Sequence, residues 1–82
     1  MKQYEYFSDW LKDKMSIHQT LVYSMAKKLR VSPKVIYRNC SGETLPRFST
    51  VIAYCWYFGD GDDPEEVWEL VEDNRIERED GK

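Results

Sequence analysis

Two cations set four residues apart, Lys34 and Arg38, are the side chains whose spacing best suits joint action on one ligand. On a helix that interval puts both on one face. A flexible ammonium beside a planar guanidinium suits phosphate oxygens, and the guanidinium also suits the O6 and N7 acceptors of guanine. Tyr37 lies between them and reads either as a contact to a thymine methyl or phosphate, or as cover for the edge of the domain. Lys27, Lys28 and Arg30 add positive charge just upstream. Each of those lysines reads equally well as a phosphate contact or as part of a solvated helix face.

The other reactive residue types make no recognisable constellation. Cys40 and Cys55 stand far apart, and with the single His18 they cannot supply four zinc ligands. They read as reduced thiols, Cys55 packed in an apolar helix and Cys40 near a helix end, with a redox switch at Cys40 as the lesser alternative. No nucleophile stands beside a base, and no glycine-rich phosphate loop is present. The carboxylates crowd into a polar C-terminal segment rather than an apolar pocket. The run GDGDDPEE has a superficial calcium-loop look, but Val71 occupies the twelfth position counted from Asp60, where a bidentate Glu is needed. The expectation is therefore a binding protein, not an enzyme, with no cofactor and no metal.

The net charge of −3 hides an asymmetry. Residues 1–58 hold nine Lys or Arg against four Asp or Glu, and residues 59–82 hold three against eleven. A basic segment attracts phosphate, whereas an acidic one repels it or covers the basic face. Eighty-two residues allow one small domain with a local core. No apolar run is long enough to cross a bilayer and the first residues lack a signal-peptide core, so the expected location is cytoplasmic, with no membrane partner.

The elements that must position the cations follow from apolar spacing. Phe7, Trp10, Leu11 and Met15 predict a first helix over roughly Tyr4 to Met15, started by Ser8 or an earlier residue. Thr20 can cap a second, with Leu21, Met25 and Leu29 as its stripe and Arg30-Val31 as the turn. Ser32 as N-cap and Pro33 at the first helical position start the third, which spans about 32–40 and buries Val35 and Ile36. Ser41-Gly42 gives a left-handed exit. Phe48, Val51, Ile52, Cys55 and Trp56 predict a buried fourth helix, the run being too long for a typical strand and having no partner strand. After GDGDD, Asp63, Pro64 and Glu66 form a capping-box start for a fifth helix to about Asn74, with Val67, Leu70 and Val71 inward. These readings give one all-α, five-helix domain over residues 1–74, followed by an acidic, frayed or disordered tail over 75–82.

The stretch from Ser24 to Gly42 resembles the Cro/C1-type, lambda-repressor-like (XRE) family of helix-turn-helix DNA-binding domains. Met25-Ala26 stands where two helices cross closely, Leu29 and Val31 flank the turn, and Val35-Ile36 form the inner face of the second helix. A Pro-Arg-Phe and an apolar helix follow. The resemblance covers roughly Leu21 to Gly59. It implies a transcription regulator of phage or mobile-element type that reads double-stranded DNA in the major groove with Ser32, Pro33, Lys34 and Arg38, and holds phosphate through Ser41 and Arg47. It also implies a symmetric homodimer paired through helix 5 on a palindromic site. Val22 stands where many members have Gln. Arg30 replaces the usual turn glycine, which requires either a left-handed residue or a different turn. The alternative is a protein-interaction module on the same fold, an antirepressor or inhibitor acting through its acidic C-terminal region.

Overall fold

Helix starts and stops in this chain are set by a few short-range signals, and in one case by a residue from the far end. The computed structural model describes residues 4–80, in which the only regular elements are helices: α1 Phe7–Ile17, α2 Val22–Leu29, α3 Pro33–Ser41, α4 Phe48–Phe58 and α5 Pro64–Asp80. The fold is therefore all-α with five helices, as the periodicity predicts. Ser32 caps α3 as expected, its Oγ accepting from the Lys34 N–H at 3.2 Å with Pro33 next in line. Asp63 does the same for α5, accepting from the Glu65 N–H at 3.0 Å. Gly42 and Gly59 end α3 and α4 at φ 82° and 65°.

Two other stops use residues that carry side chains. Arg30 closes α2 at φ 57°, and the Val31 N–H returns to the Ala26 carbonyl at 3.0 Å, the six-to-one bond of a Schellman stop. Of the two possibilities at this turn, the chain adopts the left-handed one. Gln19 follows α1 at φ 51°, with the Thr20 N–H bonded to the Met15 carbonyl at 2.8 Å.

Several boundaries and faces differ from the sequence expectation. Helix α1 begins at Phe7 rather than near Tyr4; a residue earlier than Ser8, namely Tyr6, precedes it, with Ser8 inside, and the orphan Phe7 N–H is met by the Asn74 side chain at 2.8 Å. Thr20 caps nothing; α2 starts after Leu21 without a side-chain cap. Helix α5 does not stop at Asn74 but continues through Arg75 to Asp80, while 81–82 lie outside the described residues. Leu21, Val35, Phe48, Ile52 and Trp56, all expected inside, are exposed. A helix offers one face to a core. Helix α4 spends that face on Val51, Tyr54, Cys55 and Phe58, spaced i, i+3, i+4 and i+7, which turns Phe48, Ile52 and Trp56 outward.

The core joins all five helices: Phe7, Trp10 and Leu11 from α1, Met25 and Ala26 from α2, Ile36 from α3, the α4 set, and Val67, Leu70 and Val71 from α5. Phe7 packs against Trp10 and Tyr54 with ring centres at 5.5 and 6.2 Å. Two buried asparagines interrupt it. Asn39 accepts from the Tyr54 hydroxyl at 2.7 Å and donates to the Thr44 carbonyl and hydroxyl at 3.1 Å each. Asn74, besides meeting Phe7, donates to the Glu5 carbonyl at 2.9 Å. Both amides thus have donor and acceptor sides occupied, as buried polar groups require.

Candidate nucleic-acid interface

Because Ile36 and Asn39 take the inner face of α3, its outer face is left to Pro33, Lys34, Tyr37, Arg38 and Ser41. These five line one shallow, open groove. Its further lining comes from Tyr23 of α2 and Glu43 of the loop after α3. Tyr23 is 71% exposed and Tyr37 50%, so the groove joins two cations to two uncovered aromatic rings. Cations reach phosphate oxygens and base edges, and aromatic faces meet apolar base surface.

The remaining sequence candidates are distributed differently. The Ser32 hydroxyl is committed to the backbone at the start of α3. Lys27 lies four residues after Tyr23 and shares its side of α2. Lys28 lies on another side, lining a separate groove with Leu21, Ser24, Trp56 and Tyr57, so the basic pair is divided between two surfaces. Arg47 is exposed as the residue before α4 and does not line the α3 groove. Ser41 does line it, but its hydroxyl is engaged, donating to the Arg38 carbonyl at 3.1 Å and accepting from the Glu43 N–H at 3.3 Å.

Among the described residues Glu43 is the one acid lining the groove, and its Oε2 lies 3.5 Å from Arg38 Nε. Both side chains are about half exposed or more, so the pair is screened and contributes roughly 0–1 kcal/mol. A phosphate or guanine could displace it. The loop bearing Glu43 is itself held by α5: the Arg78 guanidinium donates to the Gly42 carbonyl and, at 3.3 Å, to the Glu43 carbonyl. Positive charge at a helix C-terminus also favours the α3 dipole. Sequence reading missed Arg78 because it ended α5 at Asn74. It also passed over Tyr23, whose only signal is its place on the outer side of α2, and Asn39, a polar residue at core spacing from Ile36.

Acidic charge is partly neutralised elsewhere. Lys14 Nζ lies 2.9 Å from Asp60 and 2.7 Å from Asp62 Oδ2, an atom buried with no hydrogen-bond partner, so the ion pair is what compensates it. His18 Nε2 is 2.8 Å from the same Asp60 oxygen, and its ring stacks on Phe58 at 5.3 Å. Burial opposes charge on Lys14, but Asp62 and Asp60 outweigh it and hold its pKa above the ordinary lysine value. Hydrogen bonds from His18 and Lys14 hold Asp60 below the usual carboxylate range.

Neither cysteine has the setting of a reactive thiolate. Both are free; burial raises the pKa of Cys40, whose thiol donates to Met15 Sδ at 3.3 Å, and pushes Cys55 up to about 11. Among the described residues no three His, Cys, Asp or Glu side chains are grouped to hold a metal ion, and no helix is long and apolar enough to cross a membrane. Set against known protein families, curated proteins and solved structures, the chain matches none of them.

Proposed function

We propose that this chain is a cytoplasmic, sequence-specific, double-stranded DNA-binding regulator of transcription of the helix-turn-helix kind. In this reading α3 lies in the major groove and α2 crosses the backbone. The observation that supports it is the gathering of Pro33, Lys34, Tyr37, Arg38 and Ser41 with Tyr23 on one exposed groove beside the α2–α3 turn. Arg38 is the base reader, released from Glu43 to grip guanine bidentately, and Lys34 and Lys27 meet phosphates. The resemblance to lambda-repressor-like domains leads to the same assignment, and Val22 and Arg30 are where the chain departs from it.

Selection of bound duplexes from a random pool at two salt concentrations tests this. The expected result is a defined motif, with affinity falling steeply as salt rises, by a slope of about 0.9 per phosphate neutralised. Arg38→Ala is expected to lose about tenfold or more in affinity and to relax preference at one base position, whereas Lys34→Ala weakens binding to all sequences and flattens the salt slope. Undiminished binding by both variants would remove α3 as the reader.

One observation favours a second reading. Glu65, Glu66, Glu69 and Glu77 are exposed on an ordered helix, which suits an antirepressor or inhibitor that engages a basic protein through its acidic C-terminal region. No motif emerging from the pool, together with loss of function on reversing those glutamates, would select it. Charge reversal is a cleaner probe than deleting 75–82, because deletion also removes Arg78 from the end of α3.

A further inference from the structure

The acid in the α3 groove is held there by its backbone. Glu43 stands in the loop after α3, where its N–H donates to Ser41 Oγ at 3.3 Å and its carbonyl accepts from the Arg78 guanidinium at 3.3 Å. Arg78 also donates to the Gly42 carbonyl, and the Thr44 N–H returns to the Arg38 carbonyl at 3.3 Å, so the residues on both sides of Glu43 are fixed as well. The Glu43 side chain is exposed, but the backbone that bears it is anchored to α3 through Ser41 and to α5 through Arg78. The carboxylate therefore remains beside Lys34 and Arg38 even when its own contact with Arg38 is broken.

A carboxylate fixed in that place treats the two kinds of acceptor on DNA differently. A phosphate brings a full negative charge into the groove, and Glu43 opposes it. Guanine offers O6 and N7, which carry only partial charge, and meets far less resistance. Where no guanine is in reach, Arg38 stays with Glu43, and Lys34 is the one cation lining the groove outside an ion pair, among the described residues. Binding to arbitrary sequence rests on phosphate contacts, so each cation withheld weakens it. Repulsion of the wrong ligand is as effective a source of specificity as attraction of the right one.

We propose that Glu43 is a specificity-determining residue of the α3 groove, a fixed charge that withholds Arg38 from phosphate and yields it to guanine, and that Arg78 is the positioning residue that keeps it there. The inference rests on the reading of α3 as a DNA reader and adds that the end of α5 sets how faithfully that helix reads. Arg78, itself a cation, thereby acts against phosphate binding, the reverse of what its own charge would do.

Affinities of the full chain for the duplex selected from the pool and for a duplex of scrambled sequence, each across a salt series, test it. Glu43→Gln is expected to tighten the scrambled duplex about tenfold at low salt and to steepen its salt slope by about 0.9, one further phosphate. The selected duplex should gain only about twofold, because the exposed pair that guanine must break is weak. Glu69→Gln, an equal change of net charge at an exposed position of α5 outside the groove, should leave the slope and the discrimination unchanged. Arg78→Ala removes a cation and is still expected to tighten the scrambled duplex. Added to Glu43→Gln it should bring no further gain, because its effect runs through that carboxylate. Glu43→Gln leaves every backbone bond of the loop in place, so it tests the filter even if Arg78→Ala loosens α5. Without DNA, the Arg38 Nε–H resonance should move in both variants and in the same direction. A selected motif with the slope and discrimination of Glu43→Gln unaltered would overturn the filter and leave the α3 reading standing. Weaker scrambled binding by Arg78→Ala with its helical signal intact would remove Arg78 from the positioning role, and an Arg38 resonance unmoved by Glu43→Gln would remove the contact itself. An unaltered chain that binds no duplex at any salt would take down the α3 reading, and this inference with it.

Discussion

Asn39 shows how one side chain can serve both the core and α3, the helix proposed as the reader. It sits on α3 three residues after Ile36, fully enclosed, and ties that helix to α4 through Tyr54 and to its own following loop through Thr44. Burial holds the Tyr54 pKa well above the ordinary tyrosine value, so the hydroxyl stays a donor at any ordinary pH. Asn39→Ala strands the Tyr54 hydroxyl and frees the loop, and is expected to cost about 2–3 kcal/mol in a denaturant titration. Tyr54→Phe strands only an amide oxygen and is expected to cost about 1–2 kcal/mol; equal costs would show that the loop contact contributes nothing. Part of the core and of the capping was legible in the sequence, since Phe7, Leu11, Met25, Ile36, Val67 and Val71 follow from spacing and Ser32 and Asp63 from type, whereas Thr20 caps nothing and Leu21, Val35, Phe48, Ile52 and Trp56 face outward. Asn39 and Asn74 were not legible, because a buried amide is specified by partners distant in the sequence.

At the scale of elements, the turn between α2 and α3 carries the clearest local strain. An L-residue in the left-handed region costs about 1–2 kcal/mol, while glycine gives back about 0.5–1 kcal/mol through its freer unfolded chain. Arg30→Gly is therefore expected to stabilise the fold by about 0.5–1 kcal/mol, read as a higher denaturation midpoint with an unchanged slope. A lower midpoint would mean that the Arg30 side chain does more than tolerate φ 57°. The existence of all five helices was legible from periodicity and caps, but rotation about the helix axis was less so. In α4 two apolar stripes compete, and only the packing of α1 and α5 decides that Val51 and Tyr54 turn inward and Ile52 and Trp56 outward. In α5 the end was misplaced because Arg75 to Asp80 lacks apolar periodicity; Arg78 has a tertiary partner that no local pattern reveals. Of the candidate site, Pro33, Lys34, Tyr37, Arg38 and Ser41 were recovered as one surface, and the division of Lys27 from Lys28 was not.

For the whole molecule, charge links α1 to the loop before α5, and pH should report it. Asp60 is held below its ordinary range, so its contribution is present above about pH 4 and is lost as the pH falls through its folded value. Lys14, Cys40 and Cys55 are all raised; their contributions are present below their ordinary values and are lost as the pH rises through the folded ones, beginning with the thiols near pH 9. The melting temperature should thus form a plateau between about pH 4 and about pH 9, with Asp60→Asn reducing the acid-side loss. A melting temperature that stayed flat up to pH 11 would contradict the burial of Cys55.

The bond from Phe7 N–H to Asn74 spans 67 residues and ties the first turn of the first helix to the last helix. A chain emerging from the ribosome has made α1 to α4 long before that partner appears, so the domain cannot be completed vectorially and its opening turn is finished last. The Phe7 amide, having no acceptor within α1, becomes a single-residue clock for α5 docking. In native-state hydrogen exchange it should open with the amides of α5 rather than with those in the middle of α1, and Asn74→Ala should speed it while leaving mid-α1 protection largely in place. Exchange at Phe7 in step with mid-α1 would show that the two ends of the chain close independently.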